Sequence, residues 1–290
     1  MAWIVSLQKA IDYIEEHLLD SDLSIERVAE EANASAYHFQ RTFAILTDMA
    51  VGEYIRGRRL TLAAQELTQT DSKVIDLAYK YGYETPESFA KAFRRQHGMT
   101  PTEARNFRGK LKSYNRLTIQ VSLKGAEPMQ YSIVKKESFH VTGVKKELSL
   151  EDGKNLIAIP KMWDKANNDG TADKLLELND GDIKGILGIC VDKRNTKPDS
   201  MEYWIAAACE GHASDKPGNF LSMEIPAAKW AIFEVHGPMP HSMQNAWKQI
   251  FSEWFPSSGY EHAGAPELEV YSAGNPTSPD YYSEIWIAVK

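Results

Sequence analysis

Apolar residues recur at three- and four-residue steps along roughly the first hundred positions, and at alternate positions along most of the rest. The first spacing predicts amphipathic helices and the second half-buried strands. Ile4, Leu7, Ile11, Ile14 and Leu18 mark a helix over 4–19. Asp22-Leu23-Ser24 ends it, and Ile25, Val28, Ala29 and Ala32 make a short second helix capped by Ser24. After the turn at Asn33-Ala34, Ser35 caps a third helix with Phe39, Phe43 and Leu46 inward and Ala36, Tyr37, Gln40 and Arg41 outward. The arrangement then recurs. A long helix over about 50–68 leads to KVIDLAYKYGY, a turn at Gly82, and Thr85 capping PESFAKAFRRQH. Pro86 suits a helix start and Gly98 a helix stop. Here Phe89 and Phe93 face inward and Pro86, Glu87, Ala90 and Lys91 outward, and Thr100-Pro101 opens a last short helix.

Residues 111–127 are polar and mixed, a linker between a first domain over 1–110 and a second over 128–290. In the second, MQYSIVKKE, HVTGVKKEL, KGILGICVD, MEYWIAAAC, FLSMEIPA, KWAIFEVHG, LEVYSA and SEIWIAVK alternate as strands, with helices over about 151–166 and 239–255. Glu202-Tyr203-Trp204-Ile205 echoes Glu284-Ile285-Trp286-Ile287, and Trp163 echoes Trp247. This internal repeat predicts an α+β domain of duplicated β-α-β-β halves, with two sheets facing each other across a cleft. The fold class expected is therefore an all-α bundle with two helix-turn-helix units, followed by that α+β domain.

Composition narrows the chemistry. The 290 residues are 43% hydrophobic and 25% charged, enough for two cores. No apolar run is long enough to span a bilayer and no basic, then apolar leader opens the chain, so a cytoplasmic location is expected. Cys190 and Cys209 sit in apolar runs and read as buried residues. The net charge of -7 is unevenly distributed: residues 1–112 hold 15 Lys and Arg against 16 Asp and Glu, the remainder 18 against 24. Basic clusters at Arg56, Arg58 and Arg59, at Lys91, Arg94 and Arg95, and at Arg105, Arg108, Lys110 and Lys112 permit a basic face for nucleic acid. Gln pairs bidentately with adenine and Arg with guanine, so Gln40 and Arg41 suit a major groove. Two such units on one rigid helix would reach successive grooves about 34 Å apart. A plain helical bundle with a polar face explains the periodicity equally well. No metal-ligand spacing, phosphate loop or nucleophile motif occurs, so no cofactor, metal or catalytic set is expected, and His236, His241 and His262 read as scattered surface residues.

The stretch LSIERVAEEANASAYHFQRTFAILTDMAVGEYIRGRRLTLAAQEL, with VIDLAYKYGYETPESFAKAFRRQHGMTPTEAR after it, closely resembles the DNA-binding domain of the AraC/XylS family. The resemblance covers about 5–108 and implies base-reading roles for Ala36, Tyr37, Gln40 and Arg41, then for Pro86, Glu87, Ala90 and Lys91. Ser35, Thr85, Ser88 and Arg94 are implied as backbone contacts. Asp48 stands where the family favours glycine, Ala50 where proline is common, and His97 where an aromatic is usual. Pro86, Glu87 and Ala90 offer few donors, so the second unit would read its half-site loosely. Double-stranded promoter DNA is the partner this resemblance implies, with RNA polymerase as a further one.

The second domain resembles the GyrI-like effector-binding modules of multidrug-sensing regulators, chiefly through Glu284-Ile285-Trp286-Ile287. That resemblance implies a small hydrophobic or lipophilic-cation effector with Glu284 as the pocket acid and Trp286 beside it. Glu202 and Trp204 are their counterparts by repeat, and Tyr203, Trp163, Trp230, Phe233, Trp247 and Tyr271 could add aromatic wall. Each aromatic also fits a core position, and Glu284 also fits a solvated strand edge. Two other classes stay open: a hydrolase with Glu202 or Glu284 as general base, and a ligand-free docking or dimerisation module.

Overall fold

Seven helices account for the described part of the first 106 residues: α1 (Ala2–Glu16), α2 (Ile25–Glu31), α3 (Ala36–Thr47), α4 (Val51–Gln69), α5 (Val74–Lys80), α6 (Pro86–His97) and α7 (Pro101–Arg105). The computed structural model describes residues 2–106, 109–119, 129–192, 200–210 and 220–290. It falls into two units, one holding Ala2–Ala44 and Met49–Val121, the other Ile45–Asp48 and Ser122–Lys290. No helix among the described residues is long and apolar enough to cross a membrane.

The starts of the short helices follow from their caps, which satisfy backbone donors that a helix leaves unpaired. Ser35 accepts from the amide of His38 at 3.1 Å, and Thr85 from that of Ser88 at 3.1 Å. Thr100 and Glu103 form a reciprocal capping box at α7. Gly98 stops α6 in the left-handed region at φ 79°, and Asp48 adopts φ 54° between α3 and α4. The latter is why glycine is favoured at that position, since only short polar residues otherwise tolerate it. α4 serves two cores. The Tyr54 ring lies 5.8 Å from that of Phe43, which lies 5.9 Å from that of Phe39, and all three are buried. Leu60, Ala64 and Leu67 pack instead with Leu77, Ala78, Phe89 and Phe93. His97, in place of an aromatic, is buried with its ring 4.4 Å from that of Phe93, and burial holds its imidazole below the usual histidine range.

Two expectations for this unit need correction. Arg58, Arg59 and Arg105 are not part of a basic face. Arg58 grips both oxygens of Glu15 at 2.7 and 2.8 Å, Arg59 donates to the Leu18 carbonyl at 2.6 Å, and Arg105 binds the carbonyls of Thr70 and Ser72. Lys91, Arg94, Arg95, Lys110 and Lys112 remain exposed, while Arg108 lies outside the described residues. Nor is 111–119 a free linker. Tyr114 donates its amide to Thr61 at 3.0 Å, Leu117 to the Tyr54 hydroxyl at 3.0 Å, and Ile119 to Gln8 at 2.8 Å. Gly57 makes this possible, because a Cβ there would lie 2.7 Å from the Tyr114 ring. Residues 120–127 of the expected linker lie outside the described ones.

All eight expected strands are present: β1 (Tyr131–Lys136), β2 (Phe139–Ser149), β3 (Ile186–Asp192), β4 (Ser200–Cys209), β5 (Leu221–Ile225), β6 (Ala228–His236), β7 (Glu267–Tyr271) and β8 (Tyr282–Ala288). They form one antiparallel sheet in the order β1-β6-β8-β7-β3-β4-β2-β5, not two facing sheets. The pairing of β3 with β7 fuses the halves. Exchanging each strand with the one four places away gives the same order read from the opposite edge of the sheet. α8 (Lys154–Asn168) packs on β2 and β4, and α10 (His241–Gln249) on β6 and β8. α10 continues through a π-turn over Ile250–Trp254 into α11 (Phe255–Ser258). Local patterning did not predict α9 (Thr171–Glu177), which buries only Ala172 and Leu175.

Strand alternation gives the sheet two different faces. One carries Tyr203, Glu269 and Tyr271 toward α8 and α10. The other holds an apolar cluster that includes Leu187, Ile189, Trp204, Trp230, Leu268 and Trp286.

Candidate functional site

At the junction of the two halves, Gly188 of β3 lies opposite Glu269 of β7. A Cβ on Gly188 would be 2.5 Å from the Tyr203 hydroxyl and 3.2 Å from Glu269 Oε2. The missing side chain therefore leaves room for a polar cluster on the helix-bearing face. Trp247 of α10 donates its indole N–H to Glu269 Oε1 at 2.7 Å, and the Tyr271 hydroxyl donates to Oε2 at 2.9 Å. From the other half, Trp163 of α8 donates to the Tyr203 hydroxyl at 2.8 Å and sets its ring edge-on to Tyr271, centroids 4.9 Å apart. Burial, and then the adjacent Glu269 charge, push the Tyr271 hydroxyl well above the usual tyrosine range, so it remains a donor.

Glu269 is half-buried, as are Tyr271 and Trp163. Its hydrogen bonds come from neutral donors, and no Lys, Arg or His among the described residues forms an ion pair with it. A carboxylate placed among aromatic faces without a cation is only partly compensated for its desolvation. Four of the expected effector residues, Tyr203, Trp163, Trp247 and Tyr271, thus converge here. The acid at their centre was not among the candidates.

The acids that were expected, Glu284 and Glu202, lie on the opposite face. Glu284 accepts from the Trp286 indole at 2.6 Å and the Tyr282 hydroxyl at 2.5 Å. Glu202 accepts from the Trp204 indole at 2.8 Å and from Lys145 at 3.0 Å. An ammonium already lies over each indole, Lys136 at 5.7 Å from Trp286 and Lys145 at 5.1 Å from Trp204. The same device at both ends satisfies a buried indole N–H. A cavity of about 450 Å³ beside Glu284 is lined also by Tyr282, Trp286, Ile232 and Glu234. Trp230 is a fully buried core residue, and Phe233 packs against Trp254 and Tyr131 on the helix-bearing face, away from Glu269. His262 is not a surface residue: its side chain is 14% exposed, and its Nε2 lies 3.3 Å from buried Glu267.

The helical unit offers two unequal faces. On α6, Glu87, Ser88, Lys91 and Arg94 are exposed, with Pro86 and Ala90 half-buried between them and Thr85 exposed at the cap. On α3 the expected outward face is not outward. Ala36, Tyr37 and Gln40 are buried along with Phe39, Thr42 and Phe43, while Ser35 and Arg41 are half-buried. At 100° per residue those six positions cover more than half of the helix circumference, so one inward stripe does not describe α3.

The sequence pattern of the family described as integron-associated effector binding protein matches residues 132–289, and that of a helix-turn-helix domain matches residues 28–106. The regulatory protein SoxS of Salmonella typhimurium is 40% identical over 100 residues, 34% of this chain and 92% of SoxS. The multiple antibiotic resistance protein MarA of the same organism is 33% identical over 101 residues, 35% of this chain and 79% of MarA. Among solved structures, that of SAV2435 bound to tetraphenylphosphonium superposes with a TM-score of 0.50 at 25% identity, covering 56% of this chain and 94% of SAV2435. The chain belongs to the integron-associated effector binding protein family and joins that module to an AraC-type helix-turn-helix domain, as a DNA-binding transcription regulator modulated by a small-molecule effector.

Proposed function

We propose that the effector is a lipophilic cation held over Glu269 and ringed by Trp163, Tyr203, Trp247 and Tyr271. The observation that carries this reading is the convergence of Trp163, Tyr203, Trp247 and Tyr271, from α8, β4, α10 and β7, on one half-buried carboxylate. Glu284 also has only neutral aromatic donors but no such convergence of helices and strands. Such a site supplies charge pairing, ring faces and apolar burial together. SAV2435, whose structure holds tetraphenylphosphonium, lends chemical support. The same strand order, read from the opposite edge under exchange of halves, supports a duplicated domain, with the effector at the junction. Calorimetric titration of the full chain with tetraphenylphosphonium and with neutral triphenylphosphine oxide tests the charge requirement. The cation should bind about tenfold or more tightly than the oxide. Equal affinity would reduce the site to an apolar pocket, and turnover of a bound ligand would make it an enzyme.

In the same reading, the exposed face of α6 enters the major groove, and effector occupancy changes the unit's affinity for promoter DNA or its contact with RNA polymerase. Lys91 and Arg94 would contribute through phosphates or base edges. Each change to Ala should lower the slope of log affinity against log salt on a random duplex by about 0.9 if the residue neutralises one phosphate. An unchanged slope, with discrimination lost on the cognate operator, would make that residue a base reader instead.

A further inference from the structure

The half of the molecule that carries most of the acidic excess also carries a concentrated patch of lysines. A trough of about 540 Å³ runs between α8 and β2, on the helix-bearing face. Its floor is apolar: Val144 and Ile205 from the sheet, then Ala158 and Met162 from α8. Ile157 stands at its edge and is 63% exposed, an unusual amount for an isoleucine. Four lysines rim it, at 146, 154, 161 and 165, and Asp169 is the acid of its lining. Lys145 borders it too but carries its ammonium to the opposite face, onto Glu202 and the Trp204 ring.

One of the four has an acidic partner already, Lys154 with Glu151. Lys146, Lys161 and Lys165 form no ion pair among the described residues. Lys161 and Lys165 stand one turn apart on α8, where like charges disfavour the helix slightly. Lys146 belongs to β2, pairs with Tyr203 in the sheet register, and so points to the same face. An apolar channel with cations along its walls complements an elongated anion with one charged head. The volume lies within the range of small-molecule sites, about 300–1,000 Å³.

We infer that the trough between α8 and β2 binds a lipophilic anion, an alkyl carboxylate or its equivalent. The tail lies on Ala158, Met162, Val144 and Ile205, and the head sits among Lys146, Lys161 and Lys165. The trough is separate from the cluster at Glu269, since Trp163 leaves α8 toward Tyr203 and Tyr271 while Ala158 and Met162 line the trough. The effector module would then take ligands of both charges at different places.

The test is calorimetric titration of the full chain with dodecanoate below its micellar concentration. Saturable binding is expected, weakened about tenfold or more in Lys161→Glu/Lys165→Glu. Ile157→Gln, on an exposed side chain, should weaken it a fewfold through the tail, with circular dichroism unchanged in both variants. Glu269→Gln should leave dodecanoate binding intact, which separates failure of this site from failure of the cation site. No saturable binding, or binding equal in the charge-reversed variant, overturns the inference. So does co-sedimentation with phosphatidylglycerol vesicles in the absence of dodecanoate binding, which would assign the lysines to a membrane surface.

Discussion

Glu269→Gln should weaken tetraphenylphosphonium binding about ten- to a hundredfold, or about 1.4–2.7 kcal/mol, while leaving triphenylphosphine oxide affinity unchanged. A unit charge about 5 Å from a carboxylate gains about 3 kcal/mol at an effective dielectric near 20, before part is returned to desolvation. The amide keeps the shape and one acceptor for Trp247 or Tyr271 but carries no charge. With its oxygen on the Trp247 indole and its NH2 donating to the Tyr271 hydroxyl, which can also accept, the amide keeps both hydrogen bonds and removes a half-buried charge, so the fold should tolerate the exchange. Calorimetry on both ligands, with Glu284→Gln alongside, reads the effect. Glu284 already has Tyr282 and Trp286 as donors, and Lys136 lies over the adjoining ring, so its variant should bind the cation normally. The reverse pattern, with Glu284 essential and Glu269 dispensable, would move the site to the opposite face of the sheet.

That sequence reading pointed to Glu284 and not to Glu269 has a physical cause. Glu269 in LEVY and Glu284 in EIWI are both isolated acids in apolar strands, and alternation assigns each to a face relative to its neighbours. It does not say which face receives the helices. That is decided by the pairing of β3 with β7, strands about 80 positions apart, and by the seating of α8 on β2 and β4 and of α10 on β6 and β8. The Trp two residues after Glu284 looked like a ligand-binding ring, yet it is the donor that satisfies the acid internally. The aromatic wall was more legible, because Trp163 and Trp247 share a place in the repeat and both helices present their tryptophan to the junction.

The local elements were legible where caps and periodicity agree. Thr85-Pro86 and Gly98 bracket α6, and all eight strands lie where alternation places them. α9 escaped because it has seven residues and buries two of them, too few for a period to show. The segment 111–119 escaped for a different reason. It is held largely through backbone amides reaching Thr61, Tyr54 and Gln8, partners that leave no mark on its own sequence. The face of α3 was misread because Gln40 is polar and was assigned to solvent, whereas it is 9% exposed. Polarity is a weak guide on a helix buried over most of its circumference.

The same limit applies to Arg58, whose place in a basic cluster suggested DNA and whose structural role is interior. Glu15→Gln should destabilise the helical unit by about 3–5 kcal/mol, the usual cost of leaving one partner of a buried ion pair alone. The Glu15 and Arg58 side chains are 7% and 12% exposed, and the pair is bidentate. Tyr54 donates to the same carboxylate at 2.5 Å, and Arg58 also donates to the Tyr114 carbonyl at 2.6 Å. Loss of the charge would therefore loosen α1, α4 and the 111–119 segment together. Burial raises the Glu15 carboxyl, but the bonds from Arg58 and Tyr54 outweigh it and hold it below the usual glutamate range. With the folded pKa depressed, the unfolded chain binds more protons, so this contribution is complete above the ordinary glutamate value of about 4.3 and is lost as pH falls through the lower folded one. Urea unfolding of wild type and variant across that window should show the gap closing toward acid. Glu15→Leu/Arg58→Met should recover much of the loss, since removing both charges leaves neither unpaired. A cost under about 1 kcal/mol for Glu15→Gln would place the pair among solvated surface bridges and would return Arg58 to the residues available for DNA.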